Sequence, residues 1–322
     1  MINYLLLIIG FISLIKGANM LIKGAENITI KYKIPQITIG LTIIAIGTSL
    51  PELIINIIAT IKTEPDIIIG NIVGSNISNT LLILGIGAAI TTITITKKTY
   101  KEDLIYSLGS TYLLIALIFA NILIFQNQII SRITGAILLI ALIIYMKKVF
   151  AKEIKNKKNN IKKINQKKIN LNKTITQLTI GMLALFLGGE IIIRTAITIS
   201  STLGITTMFL STSIIALGTS LPELATIIIS LQKNKNDFAI GNIIGSNIFN
   251  ILLILGISAL IKPIIITSFA LLNFLLVAAS TLIIMLFLII QKKNEKKYYL
   301  TKKHAIIMIT LYLIYLIMAY LN

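Results

Sequence analysis

Two short segments of this chain place polar, ionisable residues in the middle of apolar sequence. They read AIGTSLPEL at residues 45–53 and ALGTSLPEL at residues 216–224. Each combines a proline, a carboxylate and two hydroxyl side chains, and runs of Ile and Leu lie on both sides. A carboxylate in apolar surroundings is costly unless a partner neutralises it. The two segments therefore predict a buried site for a positively charged partner.

The prolines of these segments predict two broken helices. Pro51 and Pro222 each lack a backbone N–H and clash with the carbonyl four residues earlier, so the helix must kink and leave carbonyls free. Free carbonyls persist inside a bilayer only where protein, water or an ion satisfies them. Glu52 and Glu223 follow directly, and neither has a basic residue one helical turn away. Two buried acids without a resident cation indicate a visiting one.

A second polar segment follows each broken helix. It reads GNIVGSNISN at residues 70–79 and GNIIGSNIFN at residues 241–250. On a helix, the spacing i, i+4, i+8 puts its Asn, Ser and Asn on one face. Glycines four residues apart permit close helix packing beside that face. The polar side chains could simply bond helices together, but their duplication beside both glutamates favours ion coordination. The aligned residues are Asn71, Ser75 and Asn79 in the first segment, and Asn242, Ser246 and Asn250 in the second.

The donor set of these segments consists of oxygen atoms. Two carboxylates, several Ser, Thr and Asn oxygens and freed carbonyls suit a hard cation. Calcium takes six to eight oxygens in irregular geometry, whereas magnesium prefers a tight octahedron that retains water. The chain has no Cys and one His, so a zinc or copper site is not expected. The residues alone predict a calcium-type or sodium-type site.

The composition is that of a polytopic helical membrane protein. The chain has 322 residues, 56% of them hydrophobic, and a mean hydropathy of +0.93. Apolar runs near twenty residues long recur throughout, as in transmembrane helices. We predict ten such helices, at about 1–23, 36–61, 67–91, 104–126, 130–147, 174–200, 207–231, 238–262, 268–290 and 304–321.

The charge distribution predicts the orientation of these helices. The net charge is +19, but the lysines cluster in a few loops and are not interleaved with aromatic residues, so nucleic-acid binding is not expected. The densest cluster is the loop 148–173, which positive charge should retain in the cytoplasm. The other basic loops alternate in agreement with ten spans. We therefore expect a multi-pass protein of the cell (plasma) membrane with both termini outside and the lipid bilayer as its main environment.

The chain is an internal duplication. Thr48 and Thr219 are 219 − 48 = 171 positions apart, and this offset aligns residues 44–88 with residues 215–259 without a gap. Each half, 1–147 and 174–322, holds five predicted spans. Because five is odd, the two halves must be inverted relative to each other. Inverted repeats with a site near the midplane are typical of secondary transporters. The predicted fold is therefore an all-α integral membrane protein of ten transmembrane helices in two inverted five-helix repeats.

The paired motifs resemble the two alpha-repeats of the cation/calcium antiporter superfamily, the sodium/calcium exchangers. The likeness extends over the whole chain and is greatest to compact prokaryotic members. It implies alternating access, in which sodium enters in exchange for calcium, with these ions as cargo and no cofactor. It assigns the central calcium site to Glu52 and Glu223, completed by Asn79 and Asn250. By the same resemblance the remaining ion ligands are backbone oxygens of Thr48 and Thr219, carbonyls of Ala45 and Ala216, and the side chains of Ser49, Ser220, Ser75 and Ser246.

One position departs from part of this family. Potassium-dependent members and some archaeal ones carry Asp where this chain has Asn250. Because Asn brings no charge, the resemblance argues against potassium co-transport. It also implies a moving element, for which spans one and six are our candidates because they carry paired small residues, Gly17 with Ala18 and Gly188 with Gly189.

Other functions stay open from the sequence. The same two glutamates could carry protons, which would make the protein a calcium/proton antiporter or an antiporter of another divalent cation. An intramembrane hydrolase using Ser49 or Ser220 needs a base within reach, and no His or Lys is placed for that role. A channel would lack saturable counter-transport. We infer no obligate protein partner.

Overall fold

The computed structural model describes residues 2–125, 128–159, 169–202, 215–266, 268–290 and 297–321, and these residues are mostly helical. The first half contains α1 (Ile2–Tyr32), α2 (Gln36–Ile39), α3 (Ala45–Thr48), α4 (Leu50–Lys62), α5 (Pro65–Ile77), α6 (Leu84–Ile90), α7 (Lys97–Thr99), α8 (Ile105–Phe125) and α9 (Arg132–Asn159). The second half contains α10 (Leu171–Thr202), α11 (Ile215–Thr219), α12 (Leu221–Gln232), α13 (Asn236–Phe249), α14 (Leu255–Ile261), α15 (Ser268–Ile290) and α16 (Lys302–Leu321).

Four short π-helices lie among the α-helices of the described residues. They span Gly40–Ile44, Ser78–Ile83, Tyr100–Leu104 and Asn250–Ile254. Each of them joins two α-helices into a longer rod, namely α2 to α3, α5 to α6, α7 to α8 and α13 to α14. In a π-helix the backbone hydrogen bonds join residues five apart instead of four. Single π-helical turns within α-helices are frequent at functional sites. The sequence analysis did not predict them.

The helices confirm a multi-pass membrane protein. Within the described residues, seven helices are long and apolar enough to cross a membrane, or eight when the bent pair Gln36–Thr48 and Leu50–Lys62 counts as one span. The predicted span at 304–321 corresponds to α16. Residues 203–214, which belong to the predicted span at 207–231, lie outside the described residues. The count of ten and the inverted arrangement therefore stay predictions.

The predicted central loop begins later than expected. We placed it at 148–173, but α9 continues as a helix to Asn159. Ala, Lys and Glu in this stretch are good helix formers, so the helix need not end where its apolar residues end. The residues 160–168 of that loop lie outside the described part of the chain.

The two long helices α1 and α10 pack closely against each other. A Cβ added to Gly17 would lie 2.9 Å from the Gly181 carbonyl oxygen, and one added to Gly181 would lie 2.7 Å from the Leu21 nitrogen. Gly10 and Gly188 meet in the same way, because the added Cβ of Gly188 would lie 2.9 Å from the Gly10 oxygen. Contacts this short require glycine, as in other membrane helix pairs.

The polar centre lies inside a shell of buried apolar residues. The broken helix that contains α2 and α3 packs on α13, where an added Cβ on Gly245 would lie 2.6 Å from the Ala45 Cβ and 2.7 Å from the Leu41 oxygen. The glycines predicted to permit close packing do so at Gly241 and Gly245, but not at Gly70, where an added Cβ would have nothing within 4 Å. Large apolar side chains on the outer helices, such as Leu123 and Ile290, are exposed and suit contact with lipid.

Two small β-ribbons, which the all-α prediction missed, connect the halves. The strand β1 (Ile93–Thr96) pairs antiparallel with β4 (Lys297–Leu300), and β2 (Ile129–Ile130) pairs antiparallel with β3 (Ile264–Ile265). Since 264 − 93 = 171, β1 and β3 begin at equivalent positions of the repeat. Strands of two to four residues leave little pattern in a sequence that is apolar everywhere, and their partners are distant in the chain.

Candidate functional site

The two GTSLPE segments form helix breaks. Ser49 lies between α3 and α4 with φ −85° and ψ 10°, and Ser220 lies between α11 and α12 with φ −86° and ψ 2°. Pro51 and Pro222 occupy the first turn of the second helix in each case. The two parts of the first broken helix differ in direction by 47°. The helix breaks predicted from the prolines are therefore present. Each break lies at a serine, two residues before the proline.

The two carboxylates lie just after these breaks and are fully buried. Glu52 and Glu223 have 0% exposure. Each sits in the first turn of its helix, α4 or α12, where the helix dipole favours negative charge. Neither belongs to an ion pair recorded among the described residues. The breaks thus present both carboxylates inside the protein with helix N-termini behind them.

Serine hydroxyls bind one oxygen of each carboxylate. Oε1 of Glu223 accepts from Ser49 at 3.2 Å and from Ser246 at 3.1 Å. Oε1 of Glu52 accepts from Ser75 at 3.4 Å. The Ser49 contact crosses from one half of the chain to the other, so the predicted serines and glutamates form one cluster. Ser220, also predicted, is buried at the second break.

Thr48 and Thr219 make equivalent hydrogen bonds from one half of the chain to the other. The Thr48 hydroxyl donates to Oδ1 of Asn242 at 2.9 Å, and the Thr219 hydroxyl donates to Oδ1 of Asn71 at 3.2 Å. These contacts are equivalent under the 171-residue repeat. They tie each broken helix to the polar helix of the other half. Both asparagines belong to the repeated polar segment, but the sequence did not predict that they would receive the threonines.

Several buried oxygen atoms have no hydrogen-bond partner among the described residues. They include Oε2 of Glu52, Oε2 of Glu223, Oδ1 of Asn79 and Oδ1 of Asn250. An unsatisfied buried acceptor costs about 1–3 kcal/mol, and more when charged. All four atoms belong to residues predicted as central ligands. Four such acceptors on the four predicted residues suit a hard cation that prefers oxygen.

Asn79 and Asn250 are presented by π-helices. Asn79 lies in the π-helix Ser78–Ile83, and Asn250 begins the π-helix Asn250–Ile254. The Asn79 amide nitrogen donates to Oδ1 of Asn247 at 3.1 Å, and Asn247 in turn donates to Thr80 at 2.8 Å. This chain of bonds leaves Oδ1 of Asn79 as the free acceptor. Asn247 is therefore a supporting residue that the sequence analysis missed.

The two alanines supply backbone oxygens near the breaks. The Ala45 carbonyl accepts from the Ser49 N–H at 3.0 Å and from the Thr48 hydroxyl at 3.3 Å. Ala216 lies in α11, at the corresponding position before the second break. Ion binding by either carbonyl stays a prediction.

Asn56 is a further polar residue that the sequence analysis missed. It is fully buried one turn beyond Glu52, and its amide donates to the Glu52 backbone oxygen at 2.7 Å. Its own Oδ1 has no partner among the described residues. The i, i+4 spacing from Glu52 was visible in the sequence, but the second half has Ile227 at the equivalent position, so the repeat did not point to it.

The site relies on neutral oxygens as well as on charge. Among the described residues, no group of three or more His, Cys, Asp and Glu side chains could hold a metal ion. Two carboxylates are surrounded instead by hydroxyls and amides. A charge of −2 with many neutral oxygens fits either one divalent cation or several monovalent ones.

The model of the sodium/calcium exchanger protein family matches residues 2–150 and 173–321 of this chain. The chain belongs to the sodium/calcium exchanger family. Sodium/calcium exchanger MaX1 of Methanosarcina acetivorans is 32% identical over 303 residues, which cover 84% of this chain and 86% of that protein. Inner membrane protein YrbG of Escherichia coli is 30% identical over 265 residues, covering 80% of this chain and 79% of that protein.

A solved structure of the sodium-calcium exchanger NCX_Mj shares the fold. It superposes with a TM-score of 0.80 at 28% identity and covers 97% of each chain. The resemblance predicted from the motifs, to a compact prokaryotic exchanger, is therefore confirmed. Family and fold identify this exchanger as a multi-pass membrane protein that transports cations in antiport with calcium, and not as an enzyme.

Proposed function

We propose that this exchanger carries sodium and calcium in opposite directions through one site centred on Glu52 and Glu223. The observation that carries the proposal is the pair of fully buried carboxylates, each with one oxygen that has no partner among the described residues. A buried carboxylate without a counter-charge is strongly disfavoured. Calcium between the two groups neutralises both, and Oδ1 of Asn79 and of Asn250 completes its shell.

Sodium competes for the same charge from flanking positions. Two or more sodium ions spread over hydroxyl and carbonyl oxygens neutralise the glutamates as calcium does. The proposed flanking ligands are Thr48, Thr219, Ser49, Ser220, Ser75, Ser246, Ala45 and Ala216. Ser49, Ser75 and Ser246 already donate to the carboxylates. On sodium binding their hydroxyls rotate, so that the oxygen lone pairs face the ion.

Electrostatics then couple the two ions. A loaded site is nearly neutral and lets the halves move, whereas an empty site with two negative charges is too costly to carry past the hydrocarbon. The moving element we propose is the closely packed pair α1 and α10. Calcium can therefore cross in one direction only when sodium returns in the other.

The proposed orientation follows the lysines. We place the lysine-rich segment 148–173, which includes the end of α9, in the cytoplasm and both termini outside, in ten spans that form two inverted halves. The repeat exchanges the ribbons β1–β4 and β2–β3, which is consistent with a two-fold relation between the halves.

The test is uptake of radiolabelled calcium into proteoliposomes preloaded with sodium, compared with preloading by potassium or choline. We expect uptake only with internal sodium, abolished in Glu52→Gln and retained in Glu64→Gln, which changes an exposed acid outside the site. Uptake that ignores sodium and follows a pH gradient would establish the calcium/proton alternative. No calcium uptake under any gradient would refute calcium as the cargo.

A further inference from the structure

Two buried hydroxyls on α12 lie on the same side of the helix as Glu223. Thr226 and Ser230 follow Glu223 at i+3 and i+7, a spacing that shares a helix face. Both side chains are 0% exposed, and neither hydroxyl oxygen has a hydrogen-bond partner among the described residues. Neither residue belongs to the ion site described above.

Thr226 and Ser230 lack the side-chain-to-backbone hydrogen bond that other threonines of this protein make. Buried Ser and Thr in helices commonly donate to the carbonyl four residues earlier. Thr42, Thr60 and Thr195 do so here, at 2.7, 2.6 and 2.6 Å. An unsatisfied buried hydroxyl is destabilising, so Thr226 and Ser230 retain a hydrogen-bonding capacity that water or an ion could satisfy.

The helix hairpin places this pair between the carboxylates and one end of the protein. α12 and α13 are antiparallel neighbours joined through residues 233–235, and the Glu223–Ser246 bond sets their register. That register puts Thr226 level with Asn242 and Ser230 near the turn. The amide nitrogen of Asn242 also has no partner among the described residues. Two hydroxyl oxygens and a free amide donor, spaced along this hairpin, suit water and a hydrated cation together.

The repeat shows that the fold does not require polar residues at these positions. The equivalents are Ile55 (226 − 171) and Ala59 (230 − 171). The polar residues of α4 are instead Asn56 and Thr60, whose donor groups are bonded to backbone carbonyls. A hydroxyl pair kept in only one half indicates a task that belongs to one side of the membrane.

We propose that Thr226 and Ser230 line a water-containing passage for sodium and calcium between Glu223 and the end of α12. Lysines 233 and 235 mark that end as cytoplasmic by the charge pattern. The inference rests on the proposed exchange function. An ion that leaves Glu223 replaces the carboxylate oxygen by hydroxyl oxygen and water one ligand at a time. It therefore stays coordinated along the whole passage.

Single cysteines test whether the passage is open to ions. The natural chain has no Cys, so Ser230→Cys introduces the only thiol. A membrane-impermeant cationic methanethiosulfonate reagent is applied to the cytoplasmic face of vesicles that turn over sodium. We expect Ser230→Cys to be modified and its exchange blocked. The matched control is Leu231→Cys, a buried position at the same depth on the apolar side of α12, which should not react. A Ser230→Cys thiol as inert as Leu231→Cys would overturn the passage.

Side-specific kinetics give a second test with conservative variants. In Thr226→Val and Ser230→Ala we expect the half-saturating sodium concentration at the cytoplasmic face to rise about threefold to tenfold, the usual effect of losing one hydroxyl ligand. The half-saturating sodium concentration at the external face and the equilibrium calcium affinity should stay within about twofold of the wild-type values. Ser258→Ala, which removes another buried hydroxyl without a described partner, should change none of these.

The outcomes separate this inference from the proposed function. If the wild-type protein exchanges sodium for calcium but the variants match it on both faces, the passage is refuted and the exchange function stands. If the wild type shows no sodium-dependent exchange, the proposed function fails. In that case modification of Ser230→Cys alone, without Leu231→Cys, still shows a hydrated passage.

Discussion

At the scale of single residues, the site combines few charges with many neutral oxygens. Two carboxylates are held by three serine hydroxyls, and four acceptors on Glu52, Glu223, Asn79 and Asn250 stay free among the described residues. Under the proposed function, this doubly negative centre is neutralised either by one calcium ion or by two sodium ions, and that equivalence underlies the exchange.

Calcium should stabilise the folded protein through this centre. Binding to the native state alone contributes about 2.7 kcal/mol at a concentration one hundred times the dissociation constant. We expect calcium to raise the melting temperature of the purified wild type, and a chelator to reverse the rise. Glu52→Gln and Glu223→Gln should melt at the same temperature with and without calcium. Equal stabilisation of either variant would contradict the assignment of the carboxylates.

An added carboxylate should tighten calcium binding and slow exchange. Asn250 is buried, and both polar atoms of its side chain lack a partner among the described residues. Asn250→Asp keeps the shape and adds a charge that calcium leaves unneutralised. We expect calcium to bind roughly tenfold more tightly and turnover to fall, measured by calorimetry and by flux. Unchanged calcium affinity would show that Asn250 does not face the ion.

At the scale of elements, broken helices and close glycine contacts position the site. The breaks at Ser49 and Ser220 supply helix N-termini behind the glutamates, and Asn79 and Asn250 lie in π-helices at repeat-equivalent positions. α13 can reach α3 only because Gly245 has no side chain.

Overpacking that contact should destabilise the protein. Gly245→Ala places a Cβ 2.6 Å from the Ala45 Cβ, and such overpacking costs about 1–3 kcal/mol. Gly109→Ala in α8 is the matched control, because an added Cβ there has nothing within 4 Å, and Ala gains about 1 kcal/mol of helix propensity. Thermal unfolding should therefore separate the two variants in opposite directions. A Gly245→Ala protein as stable as the wild type would refute the tight contact.

At the scale of the whole molecule, the duplication is reflected in backbone detail. Thr63 follows the end of α4 with φ 63°, and Asn234 follows the end of α12 with φ 56°. They are equivalent residues of the repeat, because 234 − 63 = 171. The same left-handed turn thus recurs in each half. In an inverted pair these turns must face opposite sides of the membrane.

Cysteine labelling of those turns tests the inversion directly. An impermeant thiol reagent should modify Thr63→Cys only from outside the cell and Asn234→Cys only from the cytoplasm. A permeant reagent should modify both from either side, which controls for reactivity. Labelling of both thiols from one side would show parallel halves and refute the ten-span orientation.

The sequence alone determined the class of the protein and singled out the residues of its candidate centre. Long apolar runs cannot form a soluble domain, and the repeated GTSLPE and GNxxGSN segments identified the family, which the comparisons confirm. Glu52 and Glu223 could be singled out because a buried acid has few possible roles. Local rules sufficed for these features, since each depends on residues within one or two helical turns.

Only the tertiary structure decided which groups meet. The Ser49–Glu223 and Asn79–Asn247 bonds join residues 174 and 168 positions apart, and no local pattern encodes such pairs. The ribbons, the π-helices and the unpartnered hydroxyls of Thr226 and Ser230 were missed for the same reason. Each depends on which hydrogen-bond partners the neighbouring elements provide. Those partners are defined only when the two halves of the chain pack together.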